Sequence, residues 1–138
     1  VVLGSARAGE ATGRVPVARI AGVAQTAVRS PRLTASVQAA RDAIARAGIT
    51  ADRLDVAEVN ESFAVSPLLL TRELGLDQDL VNPNGGAVST GHPLGATGGI
   101  LLADALAQLE RVDGEYGLLA IPGGLGLGAA IVVQRIRR

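Results

Sequence analysis

The chain contains no cysteine, no methionine and no tryptophan, and all thirteen of its basic residues are arginine. The missing cysteine excludes a disulfide, a thiolate metal site and a cysteine nucleophile anywhere in these 138 residues. Aromatic side chains are nearly absent too, with Phe63 and Tyr116 alone, so a core has to be built from Ala, Val, Leu and Ile. The arginine-only basicity is read as a compositional bias toward Arg, Ala and Gly. Thirteen cations balance thirteen anions, which leaves no broad basic field to attract a polyanion, and nucleic acid is not an expected partner. No apolar run approaches the ~20 residues of a membrane-crossing helix, and no secretory leader is evident. The expectation from these exclusions is a cytoplasmic, single-domain protein without repeats or low-complexity linkers.

What the chain has is glycine, concentrated around its one histidine. Residues 81–99 hold His92 and six of the eighteen glycines: Gly85, Gly86, Gly91, Gly95, Gly98 and Gly99. Glycine admits positive φ and close approach, yet each one costs entropy on folding, so such a density predicts a shaped loop. An apolar run, residues 100–109, follows at once and reads as a helix. A histidine between a shaped loop and a helix start has a restrained ring and backbone N–H groups nearby, a setting suited to an anionic or polarised oxygen.

Taken in order, residues 1–3 are apolar and read as the end of a strand, and residues 5–14 as a polar lead-in. Residues 15–24 predict a strand with Val17, Arg19, Ala21 and Val23 on one face and Ala18, Ile20 and Gly22 on the other. Ser30-Pro31 is a helix-start signal. After it Leu33, Val37, Ala40, Ile44 and Ala47 recur at helical spacing, with Gln38, Arg41, Asp42 and Arg46 opposite and Gly48 closing the segment. Residues 55–60 form a short strand, which places Asn60 and Glu61 at its carboxyl end, where open α/β sheets gather ligand-contacting residues. Asn60 is also a good helix cap. Phe63, Leu70 and Leu74 are helically spaced. Pro67 either occupies the first turn of that helix, or bends it if the helix starts near Ser62. The helix over residues 100–109 is apolar almost all round and is expected to be buried between layers. Asp113-Gly114 turns the chain into a strand at residues 116–121, a glycine-rich crossing leads to a buried strand at residues 129–133, and the basic tail from Arg135 is expected to be solvated. Strands alternating with helices predict an α/β layered domain, a mixed sheet covered by helices.

Asn60-Glu61-Ser62-Phe63-Ala64, Asn82-Pro83-Asn84-Gly85-Gly86-Ala87, Gly91-His92-Pro93-Leu94-Gly95-Ala96-Thr97-Gly98, and Tyr116-Gly117 followed by Gly124-x-Gly126-x-Gly128-Ala129-Ala130 together resemble the carboxy-terminal domain of thiolases. Four motifs in this order are more specific than any one alone, and they span nearly the whole chain, residues 1–138 read as one domain with its first strand expected to be cut short. The resemblance implies a thiolase-like layered fold and an acyl-CoA substrate, with no resident cofactor and no metal. It also implies an amino-terminal domain of like fold bearing the nucleophilic cysteine, as part of the same protein or as a partner chain, within an oligomer. His92 and Asn60 match the oxyanion-hole pair that holds the thioester oxygen, the histidine directly and the asparagine through a water. Phe63, with Ser62 and Gly91 beside these two motifs, is expected on the substrate side.

The chain departs from the family at one position. Thiolases carry a second cysteine near the carboxyl end, the acid and base at the substrate α-carbon. Ungapped from Tyr116-Gly117, it falls on Pro122, and the glycine whose amide helps hold the acyl-enzyme oxygen falls on Gly124. A one-gap alternative puts the cysteine at Ala120 and the glycine at Pro122, which has no N–H. The ungapped reading also aligns Gly126 and Gly128 and is preferred. Two functions follow as expectations: part of an acyl-CoA acyltransferase that polarises a thioester for carbon–carbon bond cleavage or formation, or a non-catalytic subunit or scaffold of thiolase fold. Glu61 reads as an acid or base, or as a clamp accepting loop N–H bonds. The run from Gly123 to Gly128 reads as tight packing or as an oxyanion-binding loop.

Overall fold

The computed structural model describes residues 1–29 and 33–137. Its elements run α1 (Ala6–Thr12), β1 (Ala18–Ala27), α2 (Ala35–Ala47), β2 (Val56–Val59), α3 (Val65–Leu74), α4 (Ala87–Thr90), α5 (Thr97–Arg111), β3 (Tyr116–Pro122) and β4 (Leu127–Arg135). The strands form one mixed sheet in the order β1-β4-β3-β2, with β2 parallel to β3 and the other two pairings antiparallel. The expected α/β class and helix-covered mixed sheet are therefore present.

Side-chain alternation divides the core into two layers. Ala57, Val59, Leu118, Ala120, Ala130 and Val132 meet α2 and α3 on one face of the sheet. Val56, Leu119 and Val133 meet Leu101, Ala105 and Leu109 of α5 on the other. With so few aromatics the layers close by bringing backbones together. A Cβ on Gly22 would lie 2.1 Å from the Ala43 carbonyl oxygen, and one on Gly128 would lie 2.3 Å from the Ala35 carbonyl carbon. Both contacts are with α2 backbone, which cannot swing aside as a side chain can. Gly128→Ala is expected to destabilise the protein by about 1–3 kcal/mol through overpacking, read as a lower urea midpoint, whereas Gly99→Ala, whose Cβ meets nothing, should not.

The helix predicted from Val37, Ala40 and Ile44 is α2. All three side chains are buried, and Gly48 ends the helix in the left-handed region at φ 72°. The Ser30-Pro31 start signal lies outside the described residues. Pro67 sits in the first turn of α3, where its missing N–H is harmless.

Several expectations are corrected. Residues 1–3 form no strand and are exposed. The polar lead-in contains α1, capped by Ser5 Oγ accepting from the Ala8 amide and by Gly13 in the left-handed region. β1 starts three residues later than predicted and carries a bulge: Ile20 opposes Val133 while Gly22 opposes Val132. The extra residue, Ala21, breaks the alternation assumed for this strand. α5 buries only one stripe: Leu101, Ala105 and Leu109 are covered, whereas Ala103 and Ala107 are exposed. The tail is not simply solvated either, because Arg135 Nε donates to the Gly114 carbonyl at 2.7 Å and the guanidinium pairs with Asp113.

Candidate active site

β2 and β3 are parallel neighbours, and the Asn60 amide extends their ladder by one bond, donating to the Ala120 carbonyl at 2.9 Å. Asn60 thus leaves the sheet at a fixed point, its side chain fully buried. His92 arrives from the glycine-rich loop. Gly91 ends α4 at φ 90° and ψ 169°, a conformation open essentially to glycine alone, and this turn delivers the histidine to the sheet end.

Asn60 Nδ2 lies 3.4 Å from His92 Nε2 and donates to Ser62 Oγ at 2.9 Å. The opposite ring nitrogen, Nδ1, is 2.7 Å from Thr97 Oγ1 in the first turn of α5. When the threonine hydroxyl donates to Nδ1, the ring proton resides on Nε2, so that two N–H-bearing nitrogens from separate loops, Nε2 and Asn60 Nδ2, stand 3.4 Å apart. The Asn60 Oδ1 atom is buried without a hydrogen-bond partner, a cost of about 1–3 kcal/mol that structure alone does not reward.

The loop holding His92 is braced by a second network. Asn82 bridges to β2, its Oδ1 accepting from the Val59 amide at 2.7 Å and its Nδ2 donating to the Val59 carbonyl at 3.0 Å. The same Nδ2 donates to Glu61 Oε1 at 3.1 Å, while Glu61 Oε2 accepts from the Val88 amide at 2.9 Å. Glu61 is therefore the loop clamp of the two readings given above. Gly86 permits this, since a Cβ there would stand 2.4 Å from the Glu61 carboxyl carbon.

The remaining candidates take different places. Ser62 Oγ links Asn60 to the end of β3, donating to the Pro122 carbonyl at 3.4 Å. Phe63 follows it and is 66% exposed. Gly124 lies in a short 3-10 turn (Gly124–Gly126) beyond Pro122, with open space where a Cβ would point. No hydrogen bond joins it to His92 or Asn60 among the described residues. Of the Gly123 to Gly128 run, Gly128 is thus committed to packing and Gly124 is not.

Three residues with no role in the sequence reading belong to this region: Thr97, Asn82 and Glu58. Thr97 and Asn82 stand inside the quoted motifs, and only the fold shows what they touch. Glu58, two residues before Asn60 on the same strand face, is 1% exposed with both carboxylate oxygens unpaired. Burial, and then the charges of Asp104 and Glu61, push its pKa up to about 7. Nothing in Ala-Glu-Val marked this carboxylate as buried, because an alternating strand normally turns such a residue to water.

A mixed sheet between helical layers, with an imidazole and a carboxamide meeting beyond the carboxyl ends of two parallel strands, defines an α/β domain with a polar pair at one sheet end. The chain belongs to the thiolase family: residues 14–135 match the family described as "Thiolase, C-terminal domain". It is 43% identical over 140 residues to the beta-ketoadipyl-CoA thiolase of Pseudomonas aeruginosa, covering 99% of this chain and 35% of that protein. It is 41% identical over 128 residues to the beta-ketothiolase BktB of Cupriavidus necator, covering 92% and 32%. The crystal structure of human mitochondrial 3-ketoacyl-CoA thiolase superposes with a TM-score of 0.90 at 34% identity, over 96% of this chain and 34% of that one. The chain thus spans about a third of the length of these relatives.

Replacing Thr97 by valine removes the hydrogen bond to His92 Nδ1. On the acyl-CoA reading proposed below, the ring then loses its orientation and turnover falls by up to about 10²-fold, checked by kcat with the unfolding midpoint as control.

Proposed function

We propose that residues 1–138 form the carboxy-terminal domain of an acyl-CoA acyltransferase in which His92 and Asn60 polarise the carbonyl of a CoA thioester. The supporting observation is the 3.4 Å approach of Asn60 Nδ2 to His92 Nε2, two donors brought from loops 32 residues apart. Fixed donors aimed at a developing oxyanion supply a few kcal/mol each toward the transition state. In this reading the open amide of Gly124 faces the acyl-enzyme oxygen, Phe63 borders the acyl and pantetheine channel, and Ser62 and Gly91 hold the two donors in register.

The nucleophilic cysteine comes from the two thirds of a thiolase that this chain does not span. That portion also covers what is bare here. Val23 and Leu127 are about half exposed on the sheet face that α5 leaves open, beside a groove of about 280 Å³ lined by Gln25, Ile121, Gly123 and Leu127. An apolar face of this kind suits a tight protein partner within a dimer or larger oligomer.

A second reading is favoured by one residue. Pro122 occupies the place where the resemblance puts a cysteine acid and base, a group worth about 10²–10⁴-fold, so the fold could persist as a scaffold for another acyl-CoA enzyme. Acyl-CoA turnover by the full-length protein separates the two: the enzymatic reading expects turnover that falls with Asn60→Ala, the scaffold reading none at all.

A further inference from the structure

Among the described residues four buried side-chain polar atoms lack a hydrogen-bond partner, and three of them share one face of β2: both oxygens of Glu58 and Asn60 Oδ1. The face follows from the alternation of the strand. Ala57 and Val59 pack into the layer of α2 and α3, whereas Val56 packs against α5, so Glu58 and Asn60 turn to the α5 side as well. Both are already closed off from solvent in this domain, at 1% and 0% exposure, so these atoms find their partners within it. With Glu58 ionised all three atoms are acceptors, an arrangement that burial penalises. A proton on Glu58 supplies the missing donor, and the acceptor two residues along the same face is Asn60 Oδ1.

The other end of the carboxamide does not fix its own orientation. Asn60 Nδ2 donates to Ser62 Oγ at 2.9 Å and lies 3.4 Å from His92 Nε2. A hydroxyl and an imidazole nitrogen can each accept or donate, so both also suit the carboxamide turned the other way, with its oxygen facing them. Glu58 discriminates between the two orientations, because it donates when neutral and only accepts when ionised.

We propose that Glu58 is a positioning residue for Asn60, holding its carboxamide so that the N–H end faces His92. As the neutral acid, Glu58 donates its O–H to Asn60 Oδ1 and keeps Nδ2 on the His92 side. As the carboxylate it accepts from Nδ2, and the carboxamide turns its oxygen toward His92, where it repels a developing oxyanion in place of donating to it. This rests on the acyl-CoA reading above and adds to it the residue that sets the donor. Three charged or titratable groups bear on the pair. Asp104 acts on Glu58 from α5 and Glu61 from beyond the end of β2, and both negative charges favour the neutral acid, as burial does. His92 faces Asn60 from the glycine-rich loop. On β3 the ladder partner of Glu58 is Leu119, which carries no charge.

The test has two readouts on the full-length protein. One is kcat with acetoacetyl-CoA and free CoA between pH 6 and 8, in wild type, Glu58→Gln and Glu58→Leu. The other is the infrared carbonyl band of a neutral carboxyl in wild type, Glu58→Gln and Asn60→Ala. Glutamine donates at every pH and leucine at none, while effects of pH on His92 and on the substrate are common to all the variants compared. The wild-type rate, divided by that of Glu58→Gln, is expected to fall about tenfold as pH rises through 7, with Glu58→Leu below Glu58→Gln throughout and parallel to it. The neutral-carboxyl band is expected at pH 6, lost by pH 8, absent from Glu58→Gln, and moved to higher frequency in Asn60→Ala because its acceptor is gone. Parallel profiles for wild type and Glu58→Gln overturn the proposal and leave the acyl-CoA reading standing. A band missing at pH 6, or one that Asn60→Ala does not move, overturns it equally. If acetoacetyl-CoA is neither bound nor turned over by the wild type, the acyl-CoA reading fails, and the band alone decides whether Glu58 holds Asn60.

Discussion

On the acyl-CoA reading proposed above, His92→Ala is expected to lower the kcat of thioester turnover by the full-length protein about 10²–10³-fold, the loss associated with one oxyanion donor, while the unfolding midpoint stays within error. The separation follows from where the residue sits. His92 is exposed in this domain, its ring approached among the described residues by Thr97 and Asn60. Its removal therefore costs transition-state stabilisation without opening a cavity. Asn60→Ala should act differently, because that side chain is fully buried and anchors Ser62. Activity and stability fall together there. Turnover that survives His92→Ala within threefold would show that the imidazole does not carry developing charge. The measurement is a paired kinetic and denaturation series on the two variants.

Raising the pH from 5 to 8 is expected to destabilise the protein by about 2–3 kcal/mol through one carboxylate, at ~1.4 kcal/mol for each pKa unit. Glu58 titrates near 4.5 in an open chain and near 7 when folded. The folded state holds the proton more tightly, so its contribution to stability is complete below about 4.5 and is lost as pH rises through 7. The dominant cause is burial between β2 and α5, with the charges of Asp104 and Glu61 adding to it. Glu58→Gln keeps the shape and removes the titration, so the variant should be the more stable of the two at pH 8 and show a flatter profile between pH 5 and 8. Urea titrations of both proteins across this range measure it. A wild-type stability that climbs from pH 5 to 7 in step with the variant would contradict the assignment.

The periodic parts of the chain were legible before any coordinates. Val37, Ala40 and Ile44 named the buried stripe of α2, and the placement of Asn60 after a short strand put it at the carboxyl end of β2, because period and strand polarity are local properties. The bulge at Ala21 was not legible, since it reflects the register of a partner strand 110 residues away in sequence. Nor was the cap that makes α1 a helix, because Ser5 and Gly13 bracket a stretch with no apolar stripe. The meeting of His92 with Asn60 followed from the family motifs and not from spacing, and no pattern in the chain indicates that Thr97 orients the ring. Glu58 was missed because an acidic residue in a strand is ordinarily turned to water. Its burial is a tertiary fact, set by α5 crossing β2. The full burial expected for α5 fails in this chain for a related reason: its outer side is apolar, and the described residues contain nothing to cover it.

The most direct test of the donor pair is a crystal structure of the full-length protein with a non-hydrolysable CoA thioester analogue. Its carbonyl oxygen is predicted to lie at hydrogen-bond distance from His92 Nε2 and to reach Asn60 Nδ2 directly or through one water. An analogue bound with that oxygen turned toward other groups, and with neither nitrogen engaged, would contradict it.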